Sequence, residues 1–168
     1  MSVSMHQVSA PVFVQMLKAL DHVLAKAEAH VASGAATEAA LFEARLAPDM
    51  YPLPRQVQIA TDHAKGASFR LAGRDVPKLE DNETTLAALR ARIGSVVSMI
   101  EELPAAAFDA AELREIVMPM RQGELRFDGA RYLLHFALPN FYFHVTTAYD
   151  ILRSQGVPLG KRDFFGAP

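Results

Sequence analysis

Residues 128–156 read DGARYLLHFALPNFYFHVTTAYDILRSQG, the longest continuous apolar and aromatic run in the chain. Asp128 suits a helix N-cap, because its carboxylate accepts from the free N–H groups of a first turn. Gly156 suits the position just past a helix end, with Pro158 two residues later. Between them Phe141, His144, Val145, Ala148, Ile151 and Leu152 recur at helical spacing and share one inward face. Pro139 has no N–H for the helical ladder, and its ring crowds the preceding turn. The stretch predicts a C-terminal core helix that bends or restarts at Pro139, with Asn140 at the joint and a pocket beside it.

The upstream chain supplies three more long helices. The first spans residues 9–33, or starts one turn earlier at Ser4, and tolerates Pro11 in its first turn. Val12, Phe13, Met16, Leu17, Leu20, Val23, Leu24, Ala27 and Val31 form its apolar stripe. Residues 37–46 suit a short connecting helix. The second long helix covers residues 54–71, with Gly73 as its stop. Its face is built from small residues, and Gly66 costs roughly 1 kcal/mol against alanine, which points to close packing or a cavity there. A loop with Pro77 and the acidic pair Glu80-Asp81 leads to a third helix over residues 83–103, ended by Pro104.

Between the third and fourth helices the pattern changes. Asp109 to Glu112 fits a capping box opening one short turn. Residues 115–120 and 124–127 flank Arg121-Gln122-Gly123 and predict a small β-hairpin, with Pro119 confined to an edge. The tail, residues 157–168, has no helical period, and Phe164 and Phe165 are expected to dock it onto the body. Three apolar stripes and one all-round apolar element imply an all-α four-helix bundle in a single domain, residues 1–168, with the hairpin and an ordered tail as additions. Two long connections leave the simplest up-down-up-down order open.

Composition narrows the function classes. The 168 residues are 51% hydrophobic and 21% charged, ordinary values for a globular domain. A chain of this size can bury roughly 70% of its unfolded surface without staples. There is no cysteine, so disulfides, thiolate metal sites and a cysteine nucleophile are excluded. Seventeen basic and nineteen acidic residues give a net charge of −2, and no basic stripe suits nucleic acid. No signal peptide is visible, and no apolar run reaches the ~20 residues of a membrane helix. A cytoplasmic protein without membrane or nucleic-acid partners is expected.

His63 and His144 are the sharpest candidates for chemistry. Each lies near the inward stripe of its helix, and bundles build metal sites from such facing side chains. Two neutral imidazoles begin a site for a divalent metal, Zn or Ni, although a catalytic zinc takes three protein ligands and a water. The bland alternative is two partly buried histidines bonded to neighbours. Asp62, His63 and Lys65 suggest an acid–base cluster, but adjacent helical residues do not face one another. His135 joins the site only if the break at Pro139 redirects it. Asn140, Tyr142 and Tyr149 are candidates for lining a ligand pocket, against the alternative of core packing. Lys161-Arg162 suits an anion or plain solvent. No phosphate loop, nucleophile elbow or H-E-x-x-H motif is present.

The segments PRQVQIA (residues 54–60), AKG (64–66), RLAG (70–73), EDNET (80–84), LPNFYFH (138–144) and GKRDF (160–164) resemble the bacterial DUF1993 family of unknown function. The resemblance covers nearly the whole chain and is most specific at LPNFYFH. It implies kinship with the DinB/YfiT-like bundles, which have four helices and one long crossover. Many of those proteins hold a metal with three histidines, one on the second helix and two a turn apart on the fourth; some are thiol-dependent transferases or isomerases. By that resemblance His63 and His144 stand at the first two ligand positions, and Ala148 stands where the last histidine belongs. The expectation is a non-catalytic or small-ligand-binding bundle with a degenerate metal site, forming a homodimer. The alternative is a metal-dependent enzyme of the transferase or isomerase class using His63 and His144.

Overall fold

The computed structural model describes residues 3–119 and 122–166. Helix α1 (Ala10–Ala32) follows Ser9, whose hydroxyl does not cap it but donates back to the Met5 carbonyl at 2.6 Å. Phe13, Leu17, Leu20 and Leu24 on α1 are fully buried, and each contributes roughly 1.5–3 kcal/mol of apolar burial. Thr37 caps α2 (Glu38–Glu43), accepting from the Ala40 N–H at 3.2 Å. This helix is shorter than residues 37–46, because Ala44 turns to extended backbone. Helix α3 (Leu53–Leu71) ends as expected before Gly73, whose φ of +66° only glycine adopts freely.

Helix α4 (Leu86–Glu101) starts three residues later than its apolar period suggests. Thr85 is extended and accepts from the Ala88 N–H at 3.1 Å, a cap worth ~1 kcal/mol. Glu83 is left outside the helix and turns inward to Arg92. No capping box forms after α4. Two short 3₁₀ turns, Ala105–Phe108 and Ala111–Leu113, take its place, and Ala110 with φ of 53° stands at the N-cap without a side-chain bond. The second turn is set by tertiary contact instead: the Ala111 carbonyl lies where a Cβ on Gly129 would be.

The hairpin forms. Strands β1 (Glu115–Pro119) and β2 (Glu124–Asp128) pair antiparallel, with Ile116 opposite Phe127 and Pro119 at the turn end, opposite Glu124. Gly123 supplies a positive φ of 87°; Met120 and Arg121 of the expected strand and turn lie outside the described residues. Asp128 caps α5 (Gly129–Tyr132), accepting from the Arg131 N–H at 2.8 Å.

The predicted break is different in kind. The chain passes from α5 through one π-helical turn, Leu133–Ala137, directly into α6 (Leu138–Ser154). The widened turn absorbs the missing N–H of Pro139, which falls in the first turn of α6. Asn140 donates its side-chain amide to the Phe136 carbonyl at 2.7 Å, within the joint itself. Gly156, with φ of +87°, closes α6.

The tail is also more regular than its sequence suggests. Residues Lys161–Phe165 form a short helix, α7. The Gly160 N–H donates to the Asp163 carboxylate at 2.7 Å and closes this turn. Phe164 packs edge-on against Tyr149 at 5.7 Å, but Phe165 is 40% exposed, so one phenylalanine docks rather than two. Asp163 adds an ionic clasp to α1, accepting from Lys26 at 2.9 Å and pairing with His22 at 3.0 Å. The Lys26 bond and then the Gly160 N–H hold its carboxyl down to about 2.

Helix α1 packs chiefly on α4, and α3 chiefly on α6, with α3 and α4 also in contact. The long helices are therefore not neighbours in simple chain order, which the long connections permit. One apolar core runs through all four. No described helix is long and apolar enough to cross a membrane.

Candidate functional site

The α3–α6 interface brings His63 and His144 together. Their rings are 5.9 Å apart between centroids and inclined by 15°. The small residues Ala60, Ala64 and Ala67 are fully buried on α3 and let the helices approach closely. Phe136, on the π turn, lies against the His63 ring at 6.0 Å.

Gln56, two turns before His63 on α3, sets the chemistry of the pair. It is buried, and its amide nitrogen donates to the Tyr51 carbonyl at 3.0 Å. A backbone carbonyl can only accept, so the amide nitrogen must face Tyr51 and the amide oxygen must face away. That oxygen meets His144 Nδ1 at 2.7 Å. His144 therefore carries its proton on Nδ1 and keeps the lone pair on Nε2. Metal-bound histidines are oriented in the same manner, by a hydrogen bond on the remote nitrogen.

Both rings are neutral near pH 7. Burial lowers His63 to about 4, with further lowering from His144 and Arg70 against an opposing pull from Asp62. His144 is lowered by burial and then by Arg55. Two neutral imidazoles can accept hydrogen bonds or share a cation. The three-histidine cage implied by the resemblance does not fit this chain. Ala148, one turn beyond His144, is fully buried and has no donor atom. Among the described residues no group of three or more His, Cys, Asp or Glu side chains is placed to hold a metal ion.

The other candidates lie elsewhere. Tyr142 is half-buried, and burial raises its hydroxyl above the ordinary value. Tyr149 packs on Phe164, and its hydroxyl accepts from Arg153 at 3.3 Å. At 100° per residue both tyrosines project well away from the His144 direction on α6. Asn140 serves the backbone at the π turn. His135 is exposed on that turn.

Asp62 and Lys65 belong to a different construction. Arg92, with a side chain only 2% exposed, donates to Thr61 at 2.7 Å, to the Glu80 carbonyl at 2.8 Å, to Glu83 at 3.0 Å and to Asp62 at 3.0 Å. It also pairs with Asp81 at 3.0 Å. Asp62 pairs with Lys65 at 3.1 Å, and Arg55 pairs with Asp81. Burial pushes the Glu83 carboxyl up, but bonds from Gln58 and Arg92 outweigh it and hold the group below its ordinary value. This network fastens the crossover before α4 onto α3. Gln56 and Arg92 were not legible as site and anchor residues from spacing alone. The available signal was a polar residue on an otherwise inward helical face in each case.

Residues 5–165 match the family described as a domain of unknown function, DUF1993. A crystal structure at 1.83 Å resolution of a DinB family member protein from Shewanella denitrificans has 42% sequence identity and a TM-score of 0.91, covering 97% of this chain and 92% of that one. No curated protein matches the chain. The chain thus belongs to the DUF1993 family, whose function is unknown, and it has the fold of a DinB family bundle.

Proposed function

We propose that this protein is a non-catalytic bundle that binds a small molecule against the His63–His144 pair, at a metal site of its superfamily that has become degenerate. The supporting observation is the pair itself: two neutral, near-parallel rings with the Nε2 lone pair of His144 left available by Gln56. Such a pair accepts hydrogen bonds from a neutral donor ligand. The buried Ala148 at the third ligand position argues against a closed cage. A homodimer formed through an exposed helix face, in the cytoplasm, belongs to the same reading; Phe143 on α6 is 55% exposed and supplies apolar surface for it.

A second reading has its own support. The Gln56 bond to Nδ1 is the arrangement that orients a metal ligand. In that case His63 and His144 would hold Zn or Ni with open positions, and the protein would be a metal-dependent enzyme of the transferase or isomerase class. Elemental analysis after supplementation with either ion separates the two. Below about a tenth of an ion per chain, the enzyme reading fails. A stoichiometric ion lost in His144→Ala overturns the non-catalytic one. Sedimentation at micromolar concentration checks the dimer, and a monomer there removes that part.

A further inference from the structure

On the side of α3 that carries Asp62, Lys65, Gly66 and Arg70, the loop before α4 leaves a cleft of about 570 Å³. That volume suits a small molecule. Three cations line it, Lys65, Arg70 and Lys78, against two carboxylates, Asp62 and Glu80. Three of the carboxylates nearby are already engaged. Asp62 serves Arg92 and Lys65, Asp81 serves Arg55 and Arg92, and Glu83 serves Arg92 and Gln58. Glu80 is exposed and accepts from Asn82 at 3.4 Å. Among the described residues Arg70 makes no ion pair. Arg70 is half-buried, and its guanidinium donates to the Tyr132 hydroxyl at 3.2 Å. Lys65 is a second underused donor: its side chain is 5% exposed, and its ion partner is an Asp62 oxygen already shared with Arg92.

Gly66 explains how Arg70 is held there. A Cβ at position 66 would lie 2.5 Å from Arg70 Nη1, so the guanidinium folds back over the bare backbone of α3. A mid-helix glycine is unfavourable by itself, and here it leaves room for a cation at the cleft wall. Val76, Pro77 and Leu79 make the facing wall apolar. A planar guanidinium matches a carboxylate with two parallel hydrogen bonds.

We propose that this cleft binds a small organic carboxylate, with its charged end on the Arg70 guanidinium and its apolar body against Val76, Pro77 and Leu79. Gly66 is a positioning residue for that contact. The site stands whether or not the histidine pair holds a ligand of its own.

The test is a titration of the full-length, isotope-labelled protein with butyrate, followed by NMR at the Arg70 Nε–H and the Gly66 amide. Inorganic phosphate at matched ionic strength is the comparison. Saturable butyrate shifts at both positions are expected. Arg70→Gln keeps a donor for Tyr132 but loses the charge, and should weaken binding about tenfold or more. Gly66→Ala should also weaken binding while raising the thermal midpoint, a split that a purely structural glycine would not produce. Should Arg70→Gln fail to fold, Arg70→Lys, which keeps the charge and loses the fork, should also bind more weakly. The absence of saturable shifts, or equal midpoints in wild type and the Arg70 variant, overturns the site. Tighter binding of phosphate than of butyrate overturns the carboxylate assignment.

Discussion

Gln56 Oε1 accepts the Nδ1 proton of His144 at 2.7 Å, across the α3–α6 interface and 88 residues of chain. The Tyr51 carbonyl holds the other end of the amide, so one glutamine fixes both the ring and its tautomer. Gln56→Leu should release His144 to a mixture of tautomers. Long-range proton–nitrogen NMR spectra read this directly, and an unchanged Nδ1–H tautomer would contradict the assignment. The variant leaves Tyr51 and His144 without partners and should cost ~1–3 kcal/mol of stability.

His63 makes stability depend on pH. In the fold it stays neutral down to about 4, whereas the unfolded side chain protonates near 6.5. Between those values the unfolded chain binds the extra proton, so stability falls as pH drops from about 6.5 to about 4. After allowance for partial solvent screening the effect is ~1–3 kcal/mol. The lowered His144 acts with the same sign. Urea denaturation at stepped pH values should show this limb, and His63→Gln should flatten much of it.

Arg92 carries the crossover. Its charge is buried and tied to three carboxylates, a hydroxyl and a backbone carbonyl. Removing one partner of a buried ionic network strands the rest, at a cost of ~3–5 kcal/mol. Arg92→Ala should lose about that much in chemical denaturation. Limited proteolysis should then cut first within residues 74–85, and unchanged protection of that loop would count against the anchoring role.

Gly129 is required by close approach. A methyl group there would overlap the Ala111 carbonyl. Gly129→Ala should therefore destabilise despite its better helix propensity, by ~1–3 kcal/mol as overpacked sites do. A thermal midpoint equal to or above wild type would contradict the packing described.

Ala148→His asks whether the cage is missing only one ligand. The site is fully buried, so the larger ring should cost ~1–3 kcal/mol. If His63 and His144 keep their geometry, bound Zn or Ni should rise to about one ion per chain. No gain in metal in a folded variant would mean the two rings no longer converge on a common point.

The four long helices, their apolar stripes, the Gly73 and Gly156 stops, the Gly123 hairpin and the candidacy of His63 and His144 were all legible along the chain. These signals are local: a repeat of 3.6 or 2 residues, a cap, a residue without a side chain. The restart at Pro139 was legible because a proline reports a missing hydrogen bond, but the π turn that forms the joint is a choice made by packing. The apolar period began α4 at Glu83, where a helix former is drawn out of the helix by the buried Arg92. Tertiary structure alone decided that Gln56 selects the tautomer of His144, that Arg70 lies over Gly66, and that Arg92 gathers the crossover. Each of these is a pairing between groups on different turns or elements, and its energy comes from desolvation and direction in three dimensions, which no spacing along the chain encodes.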